Sequence, residues 1–299
     1  MIIDRTGWIT DRILKLGRKE SCVYLLKGRD EYTLLGGGMV HIVPEVNQQL
    51  AEFNIAEEKI KRLVILHAHF DHCGIIPYYQ KRWPWAAVAA SQRARELLAT
   101  PKVVDSIAAL NQATLASYNR EQVGRELDLD FRSIEVTEAV KGGDLIPCGE
   151  VAMEVIDVPG HSTCSIAVYV PQEKAMFASD AGGIPFGEDV FTAANSNFDQ
   201  YLESIEKIFA YEIDVYLPAH HGVRTEEDGQ TFMRKSRLSA QKTRDILEEA
   251  YARTGDVKKS VAEVTDRIMA RAPQDFLPKE IIAIVIGQMM SWIAKQKSP

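Results

Sequence analysis

Cysteine is scarce in this sequence, and its positions suggest no pairing. The four cysteines, Cys22, Cys73, Cys148 and Cys164, are scattered over 299 residues without CxxC spacing. A disulfide framework is therefore not expected. Cys73 directly follows His72, and two interpretations are open. It is a metal ligand or an oxidation-sensitive thiol, or else it is a small buried residue behind the neighbouring loop.

Long hydrophobic runs are also lacking. The longest apolar stretch, residues 281–286, continues only as an interrupted segment, whereas a bilayer span needs about 20 apolar residues. Residues 1–5 do not begin the basic-then-apolar sequence of a signal peptide. We therefore expect a cytoplasmic protein with no membrane partner.

A surplus of positive charge is absent as well. The formal net charge is −7 and the isoelectric point is about 5.6, whereas dedicated nucleic-acid binders usually carry a basic field. No nucleic-acid partner is expected. With 46% hydrophobic and 26% charged residues, the composition is that of an ordinary globular protein, of one large domain or one domain with an appendage.

The most informative feature of the chain is the segment His67-Ala68-His69-Phe70-Asp71-His72. It follows the apolar run 63–66, which is typical of a fully buried strand, so the segment begins a loop at a strand end. Imidazole nitrogens and a carboxylate oxygen suit zinc, iron or manganese. The spacing allows His67 and His69 to reach one metal ion and Asp71 and His72 a second. The alternative is a polar surface loop that happens to be rich in histidine.

Three further candidates occupy equivalent places downstream. His161, Asp180 and His220 each follow a strand-like segment and open a loop that contains glycine. Loops at one end of a sheet are where an α/β scaffold places its chemistry. The pattern therefore predicts that these residues join the histidine-rich loop.

The motifs HxHxDH at 67–72, PGHS at 159–162, SDA at 179–181 and PAHHG at 218–222 together resemble the metallo-β-lactamase-fold hydrolase superfamily, over about residues 8–225. The resemblance implies an α+β fold, a four-layer αββα sandwich of two mixed sheets with helices outside. We expect this domain to span 1–225, with a helical insertion at about 91–130, and to be followed by a C-terminal helical cap at 226–299.

The resemblance also implies a site for two divalent metal ions, of zinc, iron or manganese. His67, His69 and His161 would hold the first ion, Asp71, His72 and His220 the second, and Asp180 would bridge them. The implied reaction is hydrolysis by a hydroxide shared between the two ions, with Asp71 as proton shuttle as well as ligand.

Two other histidines lie outside this ligand set. His221 stands one residue beyond the expected ligand, and it either hydrogen-bonds the substrate or the oxyanion, or packs behind His220. His41 has no motif around it, and a structural role is expected.

A closer resemblance is to the quinolone-signalling thioesterase-like subgroup, whose known member acts on an aminobenzoylacetyl-CoA thioester. Residues 69–78, 90–94, 201–205 and 275–280 carry it. It implies thioester or ester hydrolysis as a class, and a small-molecule substrate such as a CoA thioester. It also implies C-terminal helices that cap the metal cleft and can form a homodimer.

The sequence departs from the superfamily pattern at two positions. Gly36 occupies a slot that is usually acidic and normally supports the ligand loop, so the site could be looser or its metal affinity altered. Ser179 precedes Asp180 where glycine is usual, which indicates a mild change.

The remaining pattern predicts the order of elements. Apolar periodicity predicts helices at 44–53, 74–81, 198–210, 226–253, 257–271 and 278–295, and strands at 63–66, 86–90, 134–140, 144–148, 151–158, 165–170, 174–179 and 213–217, after a β-rich segment at 8–40. The insertion, broken at Thr100-Pro101, is either a wall over the site or a plain packing helix pair. The final helix, apolar on most faces, is buried in the fold, in a dimer interface or over the site.

Basic residues cluster early in the C-terminal region, at Arg224, Arg234, Lys235, Arg237, Lys242 and Arg244. They form either a site for an anionic group such as a CoA phosphate, or a solvated helix face.

The sequence thus favours a metal-dependent hydrolase of a thioester or ester. Phosphodiester cleavage or lactone hydrolysis by the same metal pair is the first alternative. A regulatory protein that signals through surface contacts is the second.

Overall fold

The computed structural model describes residues 1–273 and 276–297, and these contain sixteen strands and nine α-helices. The strands are β1 Ile2–Ile3, β2 Gly7–Trp8, β3 Ile13–Arg18, β4 Ser21–Lys27, β5 Tyr32–Leu35, β6 Ile60–Val64, β7 Ala87–Ser91, β8 Glu138–Val140, β9 Leu145–Cys148, β10 Val151–Asp157, β11 Ile166–Val170, β12 Ala175–Phe177, β13 Ile184–Phe186, β14 Asp189–Phe191, β15 Val215–Leu217 and β16 Val223–Thr225. The helices are α1 Val43–Glu52, α2 Ile76–Arg82, α3 Gln92–Leu98, α4 Pro101–Ser117, α5 Glu121–Glu126, α6 Phe198–Phe209, α7 Glu227–Thr254, α8 Val257–Met269 and α9 Lys279–Lys297.

Fourteen of the strands described form two seven-stranded mixed sheets. The first has the order β2-β3-β4-β5-β6-β7-β8, and its last four strands run parallel. The second has the order β1-β16-β15-β12-β11-β10-β9, with a parallel pair at β12 and β15. β13 and β14 form a separate antiparallel hairpin.

Three apolar clusters show how the layers stack. One contains residues of both sheets, such as Leu26 and Val64 from the first and Met153 and Phe177 from the second. Another joins the first sheet to helices α1–α4, and the last joins the second sheet to α6–α9. Helices therefore cover the outer face of each sheet, which confirms the predicted α+β, αββα sandwich.

Backbone hydrogen bonds join the two sheets at the end where the candidate ligands lie. The amide of Ile166 donates to the carbonyl of Leu66 at 2.9 Å, and the amide of Cys22 donates to the carbonyl of Ala219 at 2.7 Å. Each bond fixes a residue next to a ligand loop of one sheet against the other sheet. The loops are thus anchored by the sandwich itself.

The helical insertion contains three helices, α3 to α5, and the break at Thr100-Pro101 is where α4 begins. Buried Leu98, Ile107 and Leu115 pack into the first core. α4 also contacts the 3₁₀ turns Val40–Ile42 and Phe70–His72, so the insertion lies beside the ligand loop as well as in the core.

The C-terminal helices α7, α8 and α9 pack on the outer face of the second sheet and on α6. α9 is less buried than its composition predicts, because Ile281 and Ile284 are 42% and 58% exposed. The division into a domain at 1–225 and a cap at 226–299 stays a prediction. Residues 274, 275, 298 and 299 of the predicted cap lie outside the described residues, and Asp275 also belongs to the 275–280 segment.

Several elements differ from the sequence prediction. The strand predicted at 134–140 covers only Glu138–Val140, and the helix predicted at 74–81 begins at Ile76. The hairpin β13–β14 and the edge strands β1 and β16 were not predicted. Among the described residues, no helix has the length and apolar character needed to cross a membrane.

Candidate metal centre

All seven predicted ligand residues converge beyond the ends of strands β6, β10, β12 and β15. They form two groups, of His67, His69 and His161, and of Asp71, His72, Asp180 and His220; within each group the ligand atoms lie within 4.8 Å of one another. Most of these side chains are buried, and that of Asp71 keeps 21% exposure against 5% for Asp180. The loops predicted to meet therefore do meet.

The separations between ligand atoms fit a shared cation. His161 Nε2 lies 3.0 Å from His69 Nδ1. His72 Nε2 lies 3.1 Å from Asp180 Oδ2, 3.2 Å from Asp71 Oδ2 and 3.3 Å from His220 Nε2. Four ligands at about 2.0–2.1 Å around a tetrahedral ion would be about 3.3–3.4 Å apart.

The protonation of the rings points the same way. His161 Nδ1 donates to the carbonyl of Ala193 at 2.8 Å, and His220 Nδ1 donates to the carbonyl of Glu20 at 2.7 Å. In the neutral ring these bonds leave Nε2 as a lone pair that faces the cluster. Nε2 of His67 is buried and has no hydrogen-bond partner. Buried lone pairs and carboxylates that converge in this way fit a metal ion.

Asp180 connects the two groups. Its Oδ2 lies 3.1 Å from His72 Nε2 and 3.6 Å from His161 Nε2, and its Oδ1 lies 3.5 Å from His220 Nε2. One carboxylate thus contacts nitrogen ligands of both groups, which is the geometry that a bridging ligand needs.

The electric field of the site favours positive charge in the second group. Burial alone would lower the pKa of His72, but the carboxylates of Asp71 and Asp180 raise it to about 10. Burial raises the pKa of Asp180, but the charges of His72 and His220 outweigh it and hold that pKa well below its usual range. In the first group, burial and the neighbouring His161 lower the pKa of His69 to about 4. The field in the second group therefore favours a cation, while that in the first favours neutral imidazole.

Comparison with known proteins places this arrangement in a family. The sequence profile of the metallo-beta-lactamase superfamily matches residues 17–220. The chain belongs to the metallo-β-lactamase superfamily. The superfamily predicted from the four motifs is thereby confirmed.

The individual superfamily members that this chain resembles share only a low sequence identity with it. The human acyl-coenzyme A thioesterase MBLAC2 is 22% identical over 228 residues, which cover 73% of this chain and 78% of that protein. The probable metallo-hydrolase YqgX of Bacillus subtilis is 25% identical over 236 residues, 74% of this chain and 96% of that protein. The crystal structure of the superfamily protein TTHA1429 from Thermus thermophilus has the same fold, with a TM-score of 0.66 at 15% identity over 95% of this chain and 93% of that one.

The hydroxyl of Ser179 lies next to candidate ligands of both groups in this metallo-β-lactamase fold. Its hydroxyl lies 3.1 Å from His72 Nδ1 and 3.4 Å from His67 Nδ1. When Nε2 of each ring faces a metal, Nδ1 carries the proton and the hydroxyl oxygen can accept from both. The backbone of Ser179 is left-handed, with φ of 48°, which explains why glycine is usual here. The serine thus places a hydroxyl beside candidate ligands of both groups, and whether its effect is mild stays a prediction.

The glycine segment 36–38 lies behind the ligand loop. The amides of Gly74 and Ile75 donate to the carbonyls of Gly38 and Gly37 at 2.8 and 3.0 Å. A Cβ on Gly37 would lie 2.4 Å from the carbonyl oxygen of His72, so only glycine allows this approach. This segment can therefore support the loop through its backbone, without the usual acidic side chain.

The other candidate residues lie outside both ligand groups. His221 is half-buried, its ring centroid is 5.5 Å from that of Phe276, and the two line a small cavity with Lys19 and Arg224. His41 stacks on Tyr118 at 3.8 Å. Cys73 is fully buried, and burial raises the pKa of its thiol well above the usual value. This environment matches the interpretation of Cys73 as a buried residue behind the loop.

Proposed function

We propose that this chain is a dinuclear-metal-dependent hydrolase that cleaves a thioester, with an acyl-CoA as the substrate class. The observation that carries the proposal is the contact of Asp180 with both ligand groups. His67, His69 and His161 hold one ion, Asp71, His72 and His220 hold the other, and Asp180 is shared. Zinc, iron and manganese all suit a nitrogen and oxygen ligand set without thiolate.

Two ions bound at this site would supply hydroxide near neutral pH and polarise the substrate carbonyl. In the net reaction the thioester C–S bond breaks and a C–O bond forms, which gives a carboxylic acid and a thiol. The chain's own residues hold the ligand atoms in place: the carbonyls of Ala193 and Glu20 orient His161 and His220.

Asp71 is the residue to which we assign proton transfer. Its carboxylate Oδ2 lies 3.2 Å from His72 Nε2 and 3.8 Å from His220 Nε2. Burial would raise its pKa, but the neighbouring histidine charges lower it, so Asp71 is a carboxylate at neutral pH. Because it is more exposed than Asp180, it can reach water and a leaving thiol.

The thioester class is supported by the distant relatives named acyl-coenzyme A thioesterase. The metal pair alone would also suit a phosphodiester or a lactone. The test must therefore compare substrate classes and not only detect hydrolysis.

Metal content and turnover test the proposal together. Protein purified without added metal is analysed for bound metal, then assayed on a thioester panel, a bis-aryl phosphodiester and a lactone. Asp180→Asn should abolish turnover and lower the metal content, because it removes the shared carboxylate charge. Asp105→Asn makes the same chemical change at an exposed position of α4 and should preserve both.

About two metals per chain with a thioester preference would support the proposal. A phosphodiester or lactone preference would replace the substrate class while keeping the metal centre. Bound metal without turnover of any substrate, together with a phenotype that survives Asp180→Asn, would favour the regulatory alternative.

A further inference from the structure

A cleft separates helices α7 and α8 from the hairpin β13–β14. Its walls include α7 positions 235, 238, 239, 242, 243 and 246, and positions 264, 267, 268 and 271 in and after α8. Both sets repeat every three or four residues, so each presents one continuous helix face. The cavity has a volume of about 260 Å³.

The cleft collects positive charge in a chain whose net charge is −7. Lys235, Lys242, Arg267 and Arg271 line it together with one acidic residue, Asp189. Asp189 pairs with Arg271 at 2.7 Å, and Lys235 Nζ donates to the carbonyl of Glu188 at 2.8 Å. Over residues 1–273 and 276–297, Lys242 and Arg267 have no carboxylate within 4.0 Å. These two cations can bind an external anion without breaking an ion pair.

Apolar side chains lie among these charges. Phe186 and Phe191 of the hairpin face Ile246 and Ile268 of the helices, and Leu238 is exposed by 65% within the same cleft. A ligand that fills the cleft should therefore combine anionic groups with a flat or apolar part.

The hairpin connects this cleft to the candidate metal centre. It begins four residues after Asp180 and ends two residues before Ala193. Thr192, which lines the cleft, adjoins Ala193, whose carbonyl accepts the hydrogen bond from His161 Nδ1. A ligand in the cleft therefore lies along the segment that orients a metal ligand.

From these contacts we infer that the cleft binds the phosphate-bearing nucleotide of the acyl-CoA substrate. Lys242 and Arg267 bind its phosphates, and the aromatic residues of the hairpin contact its base. The inference rests on the proposed thioesterase function for the substrate, and on the cleft alone for the phosphate contacts. Of the basic cluster seen in the sequence, Lys235 and Lys242 contribute, whereas Arg237 pairs with Glu206 and Arg244 with Asp199 and Glu248.

The test compares two thioesters that differ only in the nucleotide. The metal-loaded double variant Lys242→Glu/Arg267→Glu is assayed on an acyl-CoA and on the same acyl-pantetheine, which lacks the phosphates. We expect kcat/KM for acyl-CoA to fall by about tenfold or more through KM, because each charge-assisted contact contributes strongly to binding. Turnover of acyl-pantetheine should not change.

The matched control places the same charge change on the same helices outside the cleft. Arg234→Glu/Lys259→Glu reverses one cation on α7 and one on α8, and neither residue lines the cleft. This variant should retain the wild-type KM for both thioesters. An equal fall in kcat/KM for acyl-CoA in both double variants would indicate a general electrostatic effect and would overturn the proposed binding site.

A direct binding measurement separates this inference from the proposed function. Adenosine 3′,5′-bisphosphate, which has no thioester or thiol, is titrated into wild type and both variants by calorimetry. Weaker bisphosphate binding in Lys242→Glu/Arg267→Glu, with unchanged binding in the control variant, would support the cleft. This holds even if no thioester is hydrolysed. Hydrolysis of acyl-CoA with KM and bisphosphate binding unchanged in that variant would overturn the cleft and leave the thioesterase function standing.

Discussion

Ser179 directly precedes Asp180, and its hydroxyl lies 3.1 Å from Nδ1 of His72. The same hydroxyl is 3.4 Å from Nδ1 of His67, which belongs to the other ligand group. One side chain therefore contacts a candidate ligand on each side of the site, and it does so from a left-handed backbone conformation with φ of 48°. Support of the ligands and backbone strain are combined at one position.

Ser179→Gly should separate these two effects. Without a Cβ the left-handed conformation loses its strain, so the metal-free protein should gain about 1 kcal/mol in the free energy of unfolding. Loss of the hydroxyl should lower metal affinity by about 10- to 100-fold, as for other groups that orient metal ligands. Denaturant unfolding with a chelator present and competition with a metal-binding dye measure the two quantities.

Asn119→Gly is the matched control, since Asn119 also has a left-handed backbone, with φ of 53°, but is exposed and distant in sequence from the ligands. It should leave metal affinity unchanged. Equal metal affinity in wild type and Ser179→Gly would show that the hydroxyl does not support the ligands.

The sequence pointed to the candidate ligand residues but not to the groups that orient them, for a physical reason. Each ligand side chain is chemically distinctive and lies in a short motif after a strand. By contrast, His161 and His220 are oriented by the backbone carbonyls of Ala193 and Glu20, and every residue has a carbonyl. Only the folded chain shows which carbonyl is used.

The fold was predicted to a similar degree, with the misses in short elements. The long periodic segments gave the helices and central strands. The hairpin β13–β14 has three residues per strand and contains Pro185 and Gly187, so it has too few residues to show a period of two. The hairpin is held in place by its contacts with α7 and Phe276, and no local sequence pattern reveals such contacts.

Gly160→Ala should destabilise the loop that carries His161. Gly160 has φ of 127°, and a Cβ there would lie 2.2 Å from the backbone nitrogen of Tyr201 in α6. Because steric overlap adds to backbone strain, we expect a loss of about 3 kcal/mol or more in the free energy of unfolding. Denaturant unfolding measures it, and metal content should fall in parallel.

Gly143→Ala isolates the backbone contribution. Gly143 has φ of 90°, and a methyl group added there would have no atom within 4 Å. Gly143→Ala should therefore lower the free energy of unfolding by only about 1 kcal/mol. If both variants lose the same stability, close packing against α6 does not constrain the His161 loop.

Metal removal should lower the melting temperature of the whole chain. The candidate ligands come from both sheets, so metal binding would favour the folded state and would contribute about 2.7 kcal/mol when free metal is 100 times its Kd. A chelator should therefore shift the wild-type transition by several degrees. Asp180→Asn, which holds less metal, should shift much less. An unchanged wild-type melting temperature after verified metal removal would contradict this coupling.

The carboxylate of Glu20 should make stability depend on acid pH. Burial would raise its pKa, but hydrogen bonds with His41, its own backbone amide and Arg18 lower it to about 2. Since the pKa of an unfolded glutamate is about 4.3, the stabilisation is fully present above that pH and is lost as the pH falls towards 2. Glu20→Gln should cost about 1 kcal/mol near neutral pH, a modest value because the side chain is partly solvated.

The stability difference between wild type and Glu20→Gln should then shrink as the pH is lowered below 5. Denaturant unfolding in the presence of a chelator measures this difference without the loss of metal at acid pH. Glu249→Gln, on an exposed part of α7, controls for the removal of one negative charge. A difference that stays constant down to the lowest pH at which both proteins fold would show that the Glu20 carboxylate does not stabilise the fold. In that case Glu20 would act at the candidate metal centre through its backbone carbonyl, which accepts from His220 Nδ1 at 2.7 Å.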